Sequence, residues 1–151
     1  MNLPALPRLS GALAVTLAGA AAAFVFIAAA CGGEGGADYP IVLTESLVED
    51  GRVVYEANCA ACHGDSTTPP PLPGAPTHSA LGHTWHHQDR LLVEWILDGV
   101  PLAQVMPAFR GRLSEDEARS AIAYIKTFWP SEIIEMQTES SAQYERQLAG
   151  E

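Results

Sequence analysis

Positively charged residues are scarce in this 151-residue chain. Lysine and arginine together number 8, against 18 aspartate and glutamate residues, which gives a net charge of −10 with histidine neutral. Proteins that bind nucleic acid neutralise its phosphates with Lys and Arg, so this balance argues against nucleic acid as a partner. An acidic surface suits docking to a basic-surfaced protein or membrane complex, although the same charge can serve only to keep a domain soluble.

Charge of either sign is absent from residues 11–30, which read GALAVTLAGAAAAFVFIAAA, and only Arg8 precedes them. A basic start, an apolar stretch and small residues at its end are typical of an export signal. The run also approaches the roughly 20 apolar residues of a membrane-spanning helix, so residues 1–30 are predicted to be a signal peptide or a membrane anchor. Either interpretation places the rest of the chain on the extracytoplasmic, periplasmic side. A retained anchor or a lipid on Cys31 would tether it to the membrane.

Cysteine is also rare, and Cys31, Cys59 and Cys62 are the three in the sequence. An odd number in an exported protein needs an explanation, because a Cys59–Cys62 disulfide would leave Cys31 unpaired. The sequence around Cys31, AAACG, resembles a bacterial lipobox, which makes Cys31 a candidate lipid anchor. Alternatively, Cys31 is the last residue of an uncleaved anchor.

No segment shows the alternation of a β-strand, and three segments show helical periodicity instead. The first is predicted over Glu45–Ala57 with Thr44 as its N-cap. The second follows Asp89 as N-cap and ends at Gly99. The third starts with a capping box of Ser114 and Glu117 and continues to Trp129.

These helices define the predicted domain organisation. A Gly-rich tether over 31–39 leads into a folded domain over 40–130, and residues 131–151 form an acidic tail. The tail is predicted to hold a short peripheral helix around Ile133, Ile134 and Met136. Between the first two helices, residues 64–88 contain five prolines and no regular element. Such a long irregular loop is unusual in a compact domain, and it is consistent with a chain that wraps a large ligand.

Cys59-Ala60-Ala61-Cys62-His63 is a C-x-x-C-H motif, the pattern of covalent haem c attachment. Two thiols one helical turn apart can each bond a vinyl group of one porphyrin, and His63 can then bind the iron. A redox dithiol would need a βαβ context that is missing. A structural zinc site would need four ligands. The histidines of the loop, His78, His83, His86 or His87, could supply those that cysteine does not. Their spacing matches no known zinc finger.

Met106 is the predicted second axial ligand. Met1 lies in the export segment and Met136 lies beyond the third helix, whereas Met106 precedes Pro107 in the loop before that helix. Proline disfavours helix at the residue before it. A His/Met pair raises the reduction potential, as in cytochromes c.

The segments GRVVYEANCAACHG and VMPAFRGRLSEDEARSAIAYIKTF, in this order, resemble the class I c-type cytochromes. The resemblance implies an all-α, cytochrome c-like domain of three main helices around one covalent haem. It matches Cys59 and Cys62 to the thioether positions and His63 and Met106 to the axial ligands. It also implies that Gly51 and Tyr55 cross the last helix near Tyr124. The acceptor for the free nitrogen of His63 is a proline carbonyl in this family, which here falls to Pro69, Pro70 or Pro71.

The stretch GHTWHHQD, residues 82–89, is open to three interpretations. Trp85 and His86 are candidates for hydrogen bonds to the haem propionates. The stretch can also be a polar surface loop, or its imidazoles can bind a metal such as copper.

The predicted function is electron transfer between extracytoplasmic or membrane redox partners, by a carrier and not an enzyme. Protein ligands on both sides of the iron leave no position for a substrate. The alternatives are a haem subunit of a larger oxidoreductase complex and a haem enzyme or sensor with an open iron position.

Overall fold

The computed structural model describes residues 39–101, 103 and 105–151. In this part of the chain there are five α-helices, one 3₁₀ turn and no β-strand. The export segment, Cys31 and nearly all of the tether lie outside the described residues. The helices are α1 (Glu45–Asn58), α2 (Ala60–His63), α3 (Asp89–Asp98), α4 (Glu115–Lys126) and α5 (Ser131–Ala149), with the 3₁₀ turn at Thr84–His86. The predicted all-α fold is confirmed.

Helices α1 and α4 cross at Gly51. A Cβ atom at Gly51 would lie 1.8 Å from the carbonyl oxygen of Ser120 and 3.1 Å from the Cβ of Tyr124. One turn further on, the rings of Tyr55 and Tyr124 pack with their centroids 5.5 Å apart. The crossing implied by the family resemblance is therefore present, and it requires glycine because backbone meets backbone there.

A hydrophobic core fills the space between α1, α3 and α4. Full burial of a side chain such as Ile122 stabilises the fold by about 1.5–3 kcal/mol, and Ile122 is 2% exposed. The core residues are Ile41, Tyr55, Leu92, Val93, Ile96, Leu97, Phe109, Leu113, Ala118, Ile122, Ala123, Ile125 and Trp129.

Two of the predicted helix caps are present. The Thr44 hydroxyl accepts a hydrogen bond from the Leu47 amide. The Ser114 hydroxyl accepts from the Glu117 amide at 3.2 Å, and the Glu117 carboxylate accepts from the Ser114 amide at 2.8 Å. Helix α4 ends at Lys126, earlier than predicted.

The predicted N-cap at Asp89 is wrong. Gln88 occupies the N-cap position of α3, and Asp89 is its first helical residue. The Asp89 carboxylate is turned into the protein, where it accepts from the Ile41 amide at 2.8 Å and from the Lys126 ammonium at 2.7 Å. Asp89 therefore connects α3 to α4 and to the segment at Ile41, and it does not cap its own helix.

The tail contains the predicted helix around Ile133, Ile134 and Met136, but this helix is longer than predicted and is not merely peripheral. Helix α5 has 19 residues, and its Gln137 and Ser141 are buried. Gln137 donates to the Asp89 carboxylate at 2.8 Å, and the Ser141 hydroxyl accepts from the Asp89 amide at 3.0 Å. The buried residues are polar, so hydrophobic periodicity did not indicate this contact. No helix in the described part of the chain is long and apolar enough to cross a membrane.

Candidate haem-binding site

The two cysteines of the C-x-x-C-H motif lie at the junction of α1 and α2. Cys59 follows the last residue of α1 and forms the N-cap of the single-turn helix α2. Amides of both Cys62 and His63 donate to the Cys59 carbonyl at 3.0 Å. Residues three apart on such a turn share a face, so both partly buried thiols are presented together. Burial raises the pKa of the Cys59 thiol to about 11, with the neighbouring Cys62 adding to the effect.

His63 is buried, 7% exposed, and its Nδ1 lies 2.9 Å from the Pro76 carbonyl oxygen. A carbonyl can only accept a hydrogen bond, so Nδ1 carries the proton. A neutral imidazole then has its lone pair on Nε2. This hydrogen bond orients the ring and leaves Nε2 free to bind a metal, which is the usual arrangement of a metal-binding histidine.

The acceptor at His63 is Pro76 and not Pro69, Pro70 or Pro71, so that prediction is wrong. After His63 the chain turns sharply at Gly64, whose φ is 71°. The carbonyl of Pro69 lies against Gly64, 2.9 Å from where a Cβ atom would stand. That carbonyl therefore faces the turn. The first proline whose carbonyl contacts the His63 imidazole is Pro76. The spacing of the prolines in the sequence could not indicate this contact.

His78 is a site residue whose position the sequence did not reveal. Its ring stacks on the His63 ring, with centroids 4.3 Å apart and planes 23° apart. Burial, together with the neighbouring His63, lowers the pKa of His78 to about 3. In the sequence His78 resembled the other loop histidines, because nothing marked it as the one that contacts His63.

Met106 is partly buried and packs against the hydrophobic core. The loop that carries it is joined to α3 at its far end, where the Phe109 amide donates to the Ile96 carbonyl at 3.0 Å and the Arg110 amide to the Leu97 carbonyl at 2.8 Å. These bonds hold the residues after Met106 against the core. Its assignment as an iron ligand stays a prediction.

The other loop histidines form a separate aromatic group with two tryptophans. Trp85 stacks on His86 at 3.7 Å, and His83 lies 4.6 Å from His86 between ring centroids. The Trp85 indole nitrogen donates to the Ala80 carbonyl at 3.2 Å. His87 contacts His83 and Trp95. A propionate role for Trp85 or His86 stays a prediction.

The copper interpretation of this loop gains no support. Across residues 39–101, 103 and 105–151, no three His, Cys, Asp or Glu side chains are arranged to hold a metal ion.

The chemistry of the site fits a haem group. Two thiols on one turn can form thioethers, an oriented imidazole offers Nε2, and a thioether stands in the loop before α4. An all-α domain with this motif at the end of its first helix defines a c-type cytochrome.

Comparison with known proteins gives the same class. Residues 46–125 match the family described as cytochrome c oxidase, cbb3-type, subunit III. The chain belongs to this family and carries a haem c domain for electron transfer.

Three curated relatives are similar over half of the chain. The cbb3-type cytochrome c oxidase subunit FixP of Bradyrhizobium sp. (strain ORS 278) is 33% identical over 75 residues, 50% of this chain and 25% of the relative. The corresponding subunit CcoP of Azospirillum sp. (strain B510) is 34% identical over 83 residues, 52% of this chain and 27% of the relative. Cytochrome c6 of Leptolyngbya boryana is 38% identical over 76 residues, 50% of this chain and 85% of the relative.

The chain thus spans about a quarter of the length of the two oxidase subunits and most of the length of the cytochrome c6. No solved structure matches it.

Proposed function

We propose that this domain binds one haem c through thioethers from Cys59 and Cys62, with His63 and Met106 as axial ligands of the iron. In this role it carries single electrons between redox proteins. The observation that carries the proposal is the hydrogen bond from His63 Nδ1 to Pro76, since it presents Nε2 as the metal-binding atom. The haem supplies an iron that changes oxidation state.

The protein's residues fix the cofactor and set its potential. Covalent attachment at Cys59 and Cys62 prevents loss of the haem from an exported protein. A thioether from Met106 favours the reduced iron and raises the reduction potential. With His63 on the other side, no position is left for a substrate, so the domain acts as a carrier and not as an enzyme.

We expect partners with basic surfaces. Acidic side chains are exposed along α1, among them Glu45, Glu49 and Asp50, and the first turn of α4 has Glu115, Asp116 and Glu117. Complementary charge speeds the encounter of two proteins more than it tightens their complex. Rapid association and release suit a protein that exchanges electrons with more than one partner.

The proposed location is extracytoplasmic and membrane-tethered. It is supported by the apolar run over residues 11–30, with Cys31 as a lipid-anchor candidate after it. A tether raises the effective concentration of the domain near membrane redox complexes. Cys31→Ala should release the domain into the soluble fraction if lipid is the anchor, and should leave it membrane-bound if residues 11–30 span the bilayer.

A second candidate is a haem subunit of a larger oxidoreductase. The names of two relatives favour it, since both are cbb3-type oxidase subunits. The two candidates differ in whether the domain leaves the complex. Isolation of the full chain from membranes in mild detergent distinguishes them: a subunit elutes with an oxidase at constant stoichiometry, whereas a carrier separates from it.

The test of the proposed function is an optical spectrum of the exported, full-length protein in both oxidation states. A low-spin spectrum with the weak far-red band of a ferric iron–methionine bond is expected. A high-spin spectrum that changes with carbon monoxide would contradict it and favour a haem enzyme or sensor. Cys59→Ser with Cys62→Ser should also abolish the haem stain on a denaturing gel.

A further inference from the structure

His78 has no part in the function described so far, yet it covers one face of the His63 ring. The two ring centroids are 4.3 Å apart and the planes differ by 23°. Rings in this arrangement are in direct stacking contact. The side chain proposed to bind the iron is therefore bordered by a second imidazole.

His78 is itself held from two directions. Its Nδ1 lies 2.7 Å from the Thr84 hydroxyl oxygen. Its backbone carbonyl accepts a hydrogen bond of 2.7 Å from the indole nitrogen of Trp129, which is 4% exposed. The rings of Tyr55 and His78 also form an edge-to-face contact, with their centroids 6.1 Å apart. The His78 ring cannot turn without breaking the hydrogen bond to Thr84.

A single short segment thus contacts His63 in two ways. Pro76 accepts the Nδ1 proton, and His78, two residues later, stacks on the ring. A hydrogen bond at Nδ1 restrains the rotation of the His63 ring about its Cβ–Cγ bond, but only loosely, because hydrogen bonds tolerate a range of angles. A second ring stacked on its face narrows this range further.

We propose that His78 is a positioning residue for the axial histidine: its stacked ring fixes the plane of the His63 imidazole, and the Thr84 hydroxyl fixes His78. The inference rests on the proposed function, in which His63 binds the haem iron. The plane of an axial imidazole determines how its π orbitals overlap with the iron d orbitals. Rotation of that plane changes the g-values of the ferric iron and shifts its potential.

A space-filling role for His78 would have a different consequence. A filler needs volume only, and its hydrogen bond to Thr84 would not matter to the iron. The Thr84 hydroxyl therefore separates the two roles. Thr84→Val removes the hydroxyl at nearly constant volume, and Thr84→Ser keeps it.

The experiment is low-temperature electron paramagnetic resonance of the ferric, full-length haem protein, with the reduction potential measured on the same samples. Thr84→Val should shift and broaden the g-values and shift the potential, and Thr84→Ser should retain the wild-type spectrum. His78→Ala should shift both quantities further. His83→Ala is the control, because His83 is exposed in the same loop and stacks on His86 and not on His63.

Identical spectra for Thr84→Val and wild type would overturn the proposal, as would equal shifts in Thr84→Val and Thr84→Ser. If His78→Ala does not accumulate, the Thr84 pair still decides. The far-red band tests the proposed function separately. Its presence in every variant with unchanged g-values overturns only the role of His78. Its absence in wild type overturns the Met106 assignment, while the Thr84 comparison still decides on His78.

Discussion

The ammonium of Lys126 lies 2.7 Å from the carboxylate of Asp89, and both side chains are fully buried. The pair joins the last turn of α4 to the first residue of α3. Gln137 of α5 donates to the same carboxylate, and so does the Ile41 amide. Burial lowers the pKa of Lys126 and the charge of Asp89 opposes that shift. The ion pair therefore stands at the point where three segments are joined to α3.

Asp89→Asn should destabilise the protein by about 3–5 kcal/mol, because it leaves the Lys126 ammonium buried without an opposite charge. The measurement is a denaturant unfolding curve of the haem protein. The double variant Asp89→Asn with Lys126→Met should recover part of the lost stability, because it no longer buries an unpaired charge. For comparison, Arg146→Gln breaks an exposed pair with Glu139 and should cost less than about 1 kcal/mol. Equal losses for the buried and exposed pairs would contradict the role assigned to Asp89.

Gly51→Ala should separate α1 from α4. The added Cβ would stand 1.8 Å from the Ser120 carbonyl oxygen, and a rigid backbone group cannot move aside as a flexible side chain can. We expect the free energy of unfolding to fall by about 3 kcal/mol or more, which is the upper end of the destabilisation seen for overpacked cores. The midpoint of a denaturant unfolding curve measures it. Val53→Ala on the solvent side of α1, where Val53 is 55% exposed, is the control and should change the midpoint little. A tolerated Gly51→Ala would mean that the helices do not cross here.

Local patterns in the sequence indicated the parts of this fold that depend on local interactions. The Ser114–Glu117 capping box lies within one turn. The crossing at Gly51 joins residues far apart in the sequence, and it is predicted from the family resemblance and not from a local pattern. The N-cap prediction at Asp89 fails because Asp at the start of a helix usually caps it, whereas here the carboxylate binds Lys126 and Gln137 in the protein interior. The length of helix α5 could not be predicted for a different reason: its buried residues, Gln137 and Ser141, are polar and leave no hydrophobic periodicity.

Some residues of the candidate haem site could be predicted from the sequence and others could not. Cys59, Cys62 and His63 form a contiguous motif and could be identified from spacing alone. Pro76 and His78 could not, because the path of an irregular loop depends on bonds such as the one from Tyr55 to the Gly64 carbonyl at 2.8 Å. Such bonds join residues of no characteristic spacing. The folded structure shows that Pro76 and His78 are the proline and the histidine that contact His63.

Acid should weaken the N-terminus of α4 through Glu117. The pKa of this carboxyl is lowered, first by its hydrogen bond from the Ser114 amide and next by the Ser114 hydroxyl. A lowered folded-state pKa contributes stability that is present above the unfolded value, which is 4.5, and is lost as the pH falls below it. Glu117→Gln should therefore be less stable than wild type at pH 7, and the difference should shrink below pH 4.5.

Glu117→Ala provides the comparison for this pH dependence. Glutamine can still accept the Ser114 amide bond and alanine cannot, so the alanine variant should be the less stable of the two at pH 7. Thermal unfolding between pH 7 and pH 3 measures all three proteins. A wild-type advantage that does not diminish in acid would show that the Glu117 charge does not contribute to the cap.

Met106→Ala should open one side of the haem iron, and Met136→Ala should not. Both residues are methionines outside the export segment, but Met106 packs against the core in the loop before α4, whereas Met136 is 56% exposed on α5. Axial ligands set haem potentials over a range of about 0.8 V, so loss of the thioether should lower the potential on the order of a tenth of a volt. The ferrous Met106→Ala protein should also bind carbon monoxide, and its ferric form should lack the far-red band. If Met106→Ala keeps the band and excludes carbon monoxide, another side chain is the ligand, and an effect of Met136→Ala would identify it.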